Sequence, residues 1–330
     1  MAASLVALPG LDEDLSRVEE RLLTSAEADD PFLTEVASHL IRAGGKRARP
    51  AFAIAAAACG MGDDPGPATD DVVMGAVSVE LVHLGSLYHD DVIDDATTRR
   101  AVDSVNARWG NLKAILAGDF LLARASEIAA GLGTEVAGLL AATISRLCEG
   151  QVRELQDVYN VARTEDAYLT SIGGKTAELF ASACRIGAIV GGLDRPQIES
   201  LTEFGREFGM AFQIIDDVLD VVATEEQLGK PSGHDLVEGV YTLPVIRLLS
   251  SHDGDGLAEM LGKPLDDEER ERARALVMAN GIIPDSLATA RGYAASAGEA
   301  LTGIGNSAAA EALRSSTGRV LQRVEALAAS

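Results

Sequence analysis

Residues 79–95 read VELVHLGSLYHDDVIDD, and this stretch decides the fold that the sequence predicts. Apolar side chains recur three or four residues apart along it, which is typical of a helix. The stretch ends in a DDxxD cluster, whose first and last members are Asp90 and Asp94. On a helix these two carboxylates share one face, one turn or about 6 Å apart. The sequence therefore predicts an apolar helix that carries paired carboxylates at one end.

The same helical spacing extends over almost the whole chain, with no convincing run of alternating strand residues. Pro31 follows Asp30 and fits the first turn of a helix. No Gly/Ser- or Pro-rich linker is long enough to separate two domains. The fold class predicted is all-α: a single domain over residues 1–330, built as one large helical bundle with a central cavity. The longest apolar stretch that we identify, Ala51–Gly62, is too short to span a bilayer.

The composition excludes several classes of protein. The chain has 28 Lys and Arg against 51 Asp and Glu, so its net charge is −23, and such a field disfavours nucleic acid as a partner. A hydrophobic fraction of 47% supplies a sizeable core and argues against disorder. The three cysteines show no CxxC spacing, and no secretory signal is visible in the first residues. We therefore expect a cytoplasmic protein.

A second DDxxD cluster stands at residues 216–220, again behind an apolar helical segment. Asp is a poor residue for a helix interior, and like charges on one face destabilise a helix. A Mg²⁺ ion would resolve this conflict, because it takes oxygen ligands and is shared between carboxylates and substrate phosphates. The alternative is a solvated acidic turn, and finding two such clusters behind apolar helices argues against it.

Several cations could hold an anion within this acidic protein. In GGKRARP (residues 44–50), Lys46 and Arg49 are three apart, so a helical turn would place them side by side. Singly, each cation is more simply explained as a solvated surface charge. Collectively they predict a site for diphosphates, in which Arg and Lys bind phosphate oxygens opposite the metal ions. The further cations are Arg99, Arg100, Lys175 and Lys230.

Five stretches resemble, in order and spacing, the motifs of trans-isoprenyl (polyprenyl) diphosphate synthases of the long-chain bacterial type. The resemblance covers residues 44–248 and implies Mg²⁺-dependent, head-to-tail condensation of isopentenyl diphosphate with an allylic diphosphate primer. The stretches are GGKRARP (44–50), LYHDDVIDDATTRR (87–100), GGKTAELF (173–180), FGMAFQIIDDVLD (208–220) and GKPSGHDLVEGVYTLP (229–244).

The resemblance also implies a role for each matching position. About three Mg²⁺ ions would be held by aspartates, namely Asp90, Asp94 and Asp216, with Asp91, Asp95, Asp217 and Asp220 in support. The allylic diphosphate would contact Arg99, Lys175 and Lys230. Isopentenyl diphosphate would contact Lys46, Arg49, His83 and Arg100. Thr176 and Gln213, with Lys175, would face the reacting carbons and act in catalysis. Many members of the family carry a lysine where this chain has Val240, which removes one expected cation.

Product length would be set near the first motif. Gly85 and Ser86 are small, so a tunnel is expected to stay open to Val82, about 12 Å deeper at helical rise. This predicts a product of C30 to C50, as for a quinone side-chain precursor. The candidate residues for stopping the chain are Leu81, Phe52 and Leu121. Phe204 and Phe208 fit core packing better than a cavity wall, whereas Phe212 could line the cavity.

Three alternatives stay open at this point. A short-chain synthase (C15–C20) would carry the same motifs. A class I terpene cyclase usually lacks the second DDxxD and does not need the GGKRARP site. A non-catalytic subunit of a heteromeric synthase typically loses its Asp clusters, and this chain keeps both. The resemblance implies a homodimer, and leaves open whether release of the apolar product involves transient membrane contact.

Overall fold

The protein is helical almost throughout, in a computed structural model that describes residues 5–62, 65–228 and 232–328. In the described residues the only strands are two strands of two residues each, which pair as a hairpin. The all-α prediction is therefore confirmed. The first elements are α1 (Leu11–Ser25), α2 (Pro31–Arg42), α3 (Ala48–Ala58), α4 (Asp70–Ile93), β1 (Thr98–Arg99), β2 (Val102–Asp103), α5 (Val105–Trp109) and α6 (Asn111–Leu132).

The rest of the chain continues with helices of very different lengths. They are α7 (Thr134–Gln156), α8 (Glu165–Ile172), a π-helical turn (Gly173–Ala177), α9 (Glu178–Val190), α10 (Arg195–Val222), α11 (Glu225–Leu228), α12 (His234–Glu238), α13 (Leu243–Leu249), α14 (Asp255–Ala258), α15 (Asp267–Ala279), α16 (Ile282–Ala300), a 3₁₀ turn (Leu301–Ile304) and α17 (Ala308–Ala328).

The chain divides into two compact units. The first comprises residues 1–144, 179–205 and 300–316, and the second comprises residues 145–178, 206–299 and 317–330. Helices α7, α9, α10, α16 and α17 therefore supply residues to both. The single domain predicted over residues 1–330 stays a prediction.

Helix α4 is the central element of the first unit. The Thr69 hydroxyl accepts a hydrogen bond from the Val72 N–H, and Asp70 and Asp71 in the first turn complement the helix dipole. The helix packs along α6 and against α3 and α1. It is long and apolar enough to cross a bilayer, which corrects the expectation from Ala51–Gly62, but 72% of its most apolar window is buried inside the protein. Its hydropathy therefore reflects a core position.

An aromatic cluster fills the core of the first unit beside α3. Phe52 lies 5.3 Å from Phe180 and 5.9 Å from Phe204, measured between ring centroids. All three rings are completely buried. The core role predicted for Phe204 is thus confirmed, and the packing of Phe52 explains its large side chain without a role in stopping a product.

In the second unit, α7 packs closely against the π-helical turn that follows α8. A Cβ atom on Gly150 would lie 2.6 Å from the Lys175 backbone nitrogen, so only glycine allows α7 to approach this turn so closely. At the end of α10, the Arg274 guanidinium donates to the carbonyls of Val221 and Ala223. These contacts satisfy carbonyls at the end of α10 and in the residue after it, close to the DDxxD cluster.

Candidate active site

The first DDxxD cluster forms the C-terminal end of α4. The Asp94 N–H donates to the Asp90 carbonyl at 2.8 Å, so the two aspartates lie one helical turn apart as predicted. Asp90 is half-buried and Asp94 is exposed. Asp95 adopts a left-handed conformation with φ 47°, which ends the helix directly after the cluster. Asp90 and Asp94 thus lie together at the end of the helix.

Asp91, between them, has a different environment. Its carboxylate is completely buried and its Oδ1 atom accepts from Arg99 Nε at 2.7 Å and lies 2.6 Å from Arg99 Nη2. Burial raises the pKa of Asp91, and the Arg99 guanidinium opposes that shift. Asn106 donates to the Asp91 carbonyl at 2.9 Å. Asp91 therefore supports the end of α4, and the guanidinium of Arg99 is engaged with it.

The chain turns back after Arg99 in a hairpin that sequence reasoning missed. Arg99 pairs with Val102, so Arg100 and Ala101 form a two-residue turn, with φ 54° and 62°. Both central residues of such a turn need positive φ, a conformation that costs free energy for residues other than glycine. Arg100 compensates through hydrogen bonds from Nη1 to the carbonyls of Leu40, at 3.0 Å, and Gly44. The turn thereby fixes the Arg100 guanidinium.

The GGKRARP stretch does not form the helical turn that was predicted for it. Helix α3 begins only at Ala48, and Arg47 before it has a left-handed φ of 46°. The side-by-side arrangement of Lys46 and Arg49 is therefore wrong: Lys46 is exposed outside the helix, and Arg49 lies within its first turn. The physical reason is Arg47. Its buried guanidinium binds Glu19 and Glu80, and its backbone is not helical, so the helix does not extend back to Lys46.

Arg49 and His83 share an electropositive environment. Burial and the neighbouring Arg100 lower the pKa of Arg49 to about 10, and Glu80 opposes the shift, so Arg49 keeps its charge at neutral pH. Burial and the surrounding guanidinium groups, Arg49 foremost, lower the pKa of His83 well below its usual range. His83 is therefore neutral at neutral pH.

One N–H of Arg49, on Nε, is buried without a hydrogen-bond partner among the described residues. The guanidinium lies over the Phe180 ring, 4.8 Å from the centroid. Buried donors are nearly always bonded in folded proteins, so this one fits an anion that binds there. The residues that the first unit brings together are Arg49, His83, Arg99 and Arg100, with the buried Glu80, which sequence reasoning missed.

The second unit brings together three residues predicted for catalysis. Lys175, in the π-helical turn, contacts Glu154 with 2.5 Å between Nζ and Oε1. Thr176 donates from its hydroxyl to Gln213 Oε1 at 2.8 Å. Single π-helical turns are frequent at functional sites, because they redirect side chains within a helix. The two glycines of GGKT were a weak signal for this turn.

The second DDxxD cluster lies within the last turns of α10. Asp216 is exposed, whereas Asp217 is buried and accepts from Gln213 at 2.7 Å and from the Tyr168 hydroxyl at 2.6 Å. Burial raises the pKa of Asp217 to about 7, although these two hydrogen bonds oppose the shift. Asp220 is buried and accepts from the Asp235 N–H at 3.2 Å. The arrangement fits a ligand role for Asp216 and supporting roles for the other two.

Two positions of the last motif complete the site residues. Lys230 lies outside the described residues. Val240 is half-buried, and its N–H donates to the Asp235 carbonyl at 2.9 Å. Many members of the family that the sequence resembles carry a lysine at this position.

The expectation that Gly85 opens a tunnel is wrong. A Cβ atom at Gly85 would lie 3.0 Å from the Gly118 carbonyl oxygen and 3.1 Å from Leu122 Cγ, both on α6. The small residue serves close packing of α4 against α6, which the sequence pattern alone did not distinguish from a cavity. Val82 is likewise completely buried.

The aspartates suit a Mg²⁺ ion that is shared between protein carboxylates and substrate phosphates. No three His, Cys, Asp or Glu side chains converge on a metal position in residues 5–62, 65–228 and 232–328. Mg²⁺ does not require such a cluster, since it is usually held by one or two carboxylates together with substrate phosphates. Asp90 and Asp94 offer hard oxygen ligands of this kind in the first unit, and the exposed Asp216 offers one in the second.

Comparison with known proteins assigns this arrangement to a family. Residues 30–278 match the Polyprenyl synthetase family. The chain is 40% identical over 284 residues to heptaprenyl diphosphate synthase component 2 of Geobacillus stearothermophilus, covering 86% of this chain and 87% of the relative. It is 40% identical over 260 residues to nonaprenyl diphosphate synthase of Mycobacterium tuberculosis, covering 78% and 76%.

A solved structure agrees with these relatives. The polyprenyl synthase of Caulobacter crescentus, crystallised with calcium and isoprenyl diphosphate, superimposes with a TM-score of 0.89 at 32% identity, covering 98% of this chain and 99% of that one. The chain therefore belongs to the polyprenyl synthetase family and is a prenyltransferase. Several relatives are long-chain synthases, which confirms the predicted long-chain class, although short-chain relatives also match, among them a short-chain isoprenyl diphosphate synthase and a geranylgeranyl diphosphate synthase.

Proposed function

We propose that the protein condenses isopentenyl diphosphate with an allylic diphosphate, in a Mg²⁺-dependent reaction, to an all-trans polyprenyl diphosphate of C30 to C50. One observation in the first unit carries this proposal. Helix α4 presents Asp90 and Asp94 at its end and His83 two turns earlier, and His83 is surrounded by guanidinium groups. A metal-binding end and an anion-binding segment on one helix suit two diphosphate substrates.

In the first unit, Asp90 and Asp94 would hold the metal ions that the allylic diphosphate requires. When bound, Mg²⁺ stabilises the negative charge that develops on the diphosphate leaving group. Arg49 and Arg100, with the exposed Lys46, bind the diphosphate of isopentenyl diphosphate. Neutral His83 adds a hydrogen bond without adding charge. These roles match the buried free N–H of Arg49 and the fixed guanidinium of Arg100.

In the second unit, Lys175 would bind the allylic diphosphate, and Asp216 would hold a further metal ion. Thr176 and Gln213 face the reacting carbons, and their mutual hydrogen bond orients the Gln213 amide. Holding the double bond of isopentenyl diphosphate against the allylic carbon contributes on the order of 7–11 kcal/mol to lowering the barrier. The departed diphosphate takes the proton that leaves last.

The proposed product is long, as for a quinone side-chain precursor, because relatives include heptaprenyl and nonaprenyl diphosphate synthases. A short-chain product is the second candidate, since a short-chain isoprenyl diphosphate synthase is also similar. The Geobacillus relative is named as component 2 of its synthase, so a requirement for a second polypeptide is a further alternative to the homodimer that we propose.

The test is chain elongation by the purified protein. The protein is incubated with labelled isopentenyl diphosphate, farnesyl diphosphate and Mg²⁺, and the products are dephosphorylated and sized by chromatography. A ladder that ends at one alcohol between C30 and C50 is expected, and chelation of Mg²⁺ with EDTA should abolish it. A product that stops at C20, or at C15 when geranyl diphosphate is the primer, would overturn the long-chain assignment.

Two further outcomes distinguish the remaining alternatives. Hydrocarbon released without chain extension would indicate cyclase chemistry. Extension that appears only after a second polypeptide is added would indicate a heteromeric synthase. We also propose a cytoplasmic location, which fractionation of cells that express the tagged chain would check.

A further inference from the structure

Arg47 is held by four hydrogen bonds within the first unit, and it is turned away from solvent. Its guanidinium donates to both carboxylate oxygens of Glu19, at 2.8 and 3.0 Å. It also donates to Glu80 at 3.0 Å and to the Ile41 carbonyl at 3.1 Å. Only 5% of Arg47 is exposed. With these four hydrogen bonds the side chain serves the protein itself and not a ligand.

Glu80 provides the opposing charge at the centre of this arrangement. It lies on α4 one turn before His83, and only 2% of it is exposed. Three guanidinium groups interact with its carboxylate: those of Arg47, Arg49 and Arg100. A buried carboxylate is tolerated only when it is paired and hydrogen-bonded. Glu80 therefore holds together cations that would otherwise repel one another.

The loop before α3 transmits the position of Arg47 to Arg100. The Gly44 carbonyl accepts a hydrogen bond from Arg100. A Cβ atom on Gly45 would lie 2.8 Å from Arg47 Nη1 and 2.9 Å from Arg100 Cζ. The loop therefore packs directly against both guanidinium groups, and a displaced Arg47 would shift Arg100 as well as the start of α3, where Arg49 lies.

From this geometry we propose that Glu19 and Glu80 are positioning residues for isopentenyl diphosphate, acting through Arg47 to hold Arg49 and Arg100 in place. The inference rests on the proposed function, which assigns those two arginines to that substrate. Glu19 belongs to α1, outside the residues 30–278 that match the family. The first helix thus contributes to substrate affinity without touching the substrate.

The experiment compares Glu19→Gln and Glu80→Gln with the wild-type full-length protein. Each variant keeps the side-chain shape and removes one charge that holds Arg47. The KM for isopentenyl diphosphate should rise about tenfold, as expected when a charge-assisted hydrogen bond is lost. The KM for farnesyl diphosphate should change less than about twofold, because Glu19, Glu80 and Arg47 do not contact the proposed site of that substrate. A merely structural role would not separate the two constants.

Glu20→Gln is the matched control, since Glu20 is an exposed glutamate one residue along the same helix. It should leave both KM values at the wild-type level. Equal rises in both KM values in Glu19→Gln, or no rise in either, would overturn the proposal. If Glu80→Gln does not fold, Glu19→Gln still decides the question, because the Glu19 side chain is 37% exposed and its loss is less disruptive.

Failure of the proposed function is distinguishable from failure of this inference. A wild-type protein that extends no allylic primer would contradict the function alone. Calorimetric titration with isopentenyl diphosphate would then test the positioning role without turnover. Binding by the wild type that weakens about tenfold in Glu19→Gln would support the role, whereas equal binding, or no binding to either protein, would overturn it.

Discussion

Asp90 and Asp94 place like charges one turn apart at the end of a buried helix, in a chain whose net charge is −23. This arrangement disfavours the isolated helix by a few tenths of a kcal/mol. We therefore predict that Asp90→Ala keeps or slightly raises the thermal stability. Turnover should fall on the order of 10²- to 10³-fold or more, because charge stabilisation at the leaving group is lost. Melting curves and the elongation assay measure the two effects.

Asp71→Ala is the control for this prediction, because Asp71 is an exposed aspartate in the first turn of the same helix. It should leave turnover unchanged and lower stability by about 0.3–1 kcal/mol through loss of a favourable dipole interaction. An Asp90→Ala enzyme with wild-type turnover would contradict the metal-binding role.

His83 gives the stability of the protein a dependence on pH. Its pKa in the folded protein lies well below 6.5, because of burial and the neighbouring guanidinium groups. Below pH 6.5 the unfolded chain therefore binds a proton that the folded protein does not. The free energy of unfolding should fall on acidification below pH 6.5, by up to about 1.4 kcal/mol per pH unit from this residue.

Urea denaturation of the wild type and of His83→Asn at pH 7.5 and 5.5 checks this prediction. The variant should lose less stability between the two pH values, since Asn does not titrate. Other groups titrate in both proteins, so the difference between them reports His83. An identical loss in both would show that the folded protein accommodates the His83 imidazolium.

Individual residues differ in how far the sequence could predict them. Asp90 and Asp94 followed from spacing, and burial of Phe204 followed from helical periodicity. The inward turn of Arg47 could not be predicted, because it depends on Glu19 and Glu80, which are 28 and 33 residues away in the chain. Sequence spacing suggests which residues share a helix face, whereas contacts of this range depend on how the helices pack.

At the scale of elements, the contact between α4 and α6 decides what Gly85 does. The space beside Gly85 is filled by Gly118 and Leu122. We predict that Gly85→Phe destabilises the protein by about 3 kcal/mol or more, because a ring has no room there. Urea denaturation measures this loss. Gly131→Phe on α6 is the control, since no atom lies within 4 Å of a Cβ atom built at Gly131.

A stable Gly85→Phe variant that makes a shorter product would contradict this packing and indicate a tunnel at that position.

The wrong expectation about Gly85 has a simple physical cause. A small residue on a helix permits either an open cavity or close approach of a neighbouring helix, and the sequence of one helix does not distinguish them. The hairpin at Arg100 was missed for a related reason, because its two turn residues lack the Gly, Asn or Asp that usually marks positive φ.

At the scale of the whole molecule, the cationic site contrasts with the acidic surface. Four arginines, Arg47, Arg49, Arg99 and Arg100, interact with His83 inside a protein of net charge −23. Salt screens interactions between exposed charges beyond about 8 Å at physiological ionic strength, but buried groups are screened much less. Arg47 and Arg99 are paired with carboxylates, so Arg49 and Arg100 are the two arginines that can attract a diphosphate although the molecule as a whole repels it.

Helix α6 carries an exposed apolar patch. Leu112, Ile115 and Leu116 are 78%, 40% and 64% exposed, and their spacing places them on one face of the helix. Exposed apolar patches of this kind are typical of protein interfaces. We predict that the protein is a homodimer held in part by this face. Leu112→Glu combined with Leu116→Glu should dissociate it, because the charges would be buried without partners.

Light scattering after size exclusion checks the prediction. The wild type should show twice the chain mass of 34.4 kDa, and the double variant should show the mass of one chain. Met278→Glu is the control, since Met278 is an apolar residue on α15 that is 45% exposed, and it should stay dimeric. A wild type that is monomeric, or a double variant that stays dimeric with an unchanged melting temperature, would exclude α6 as the interface. A monomer that elongates only with a second polypeptide would instead assign this face to a different chain.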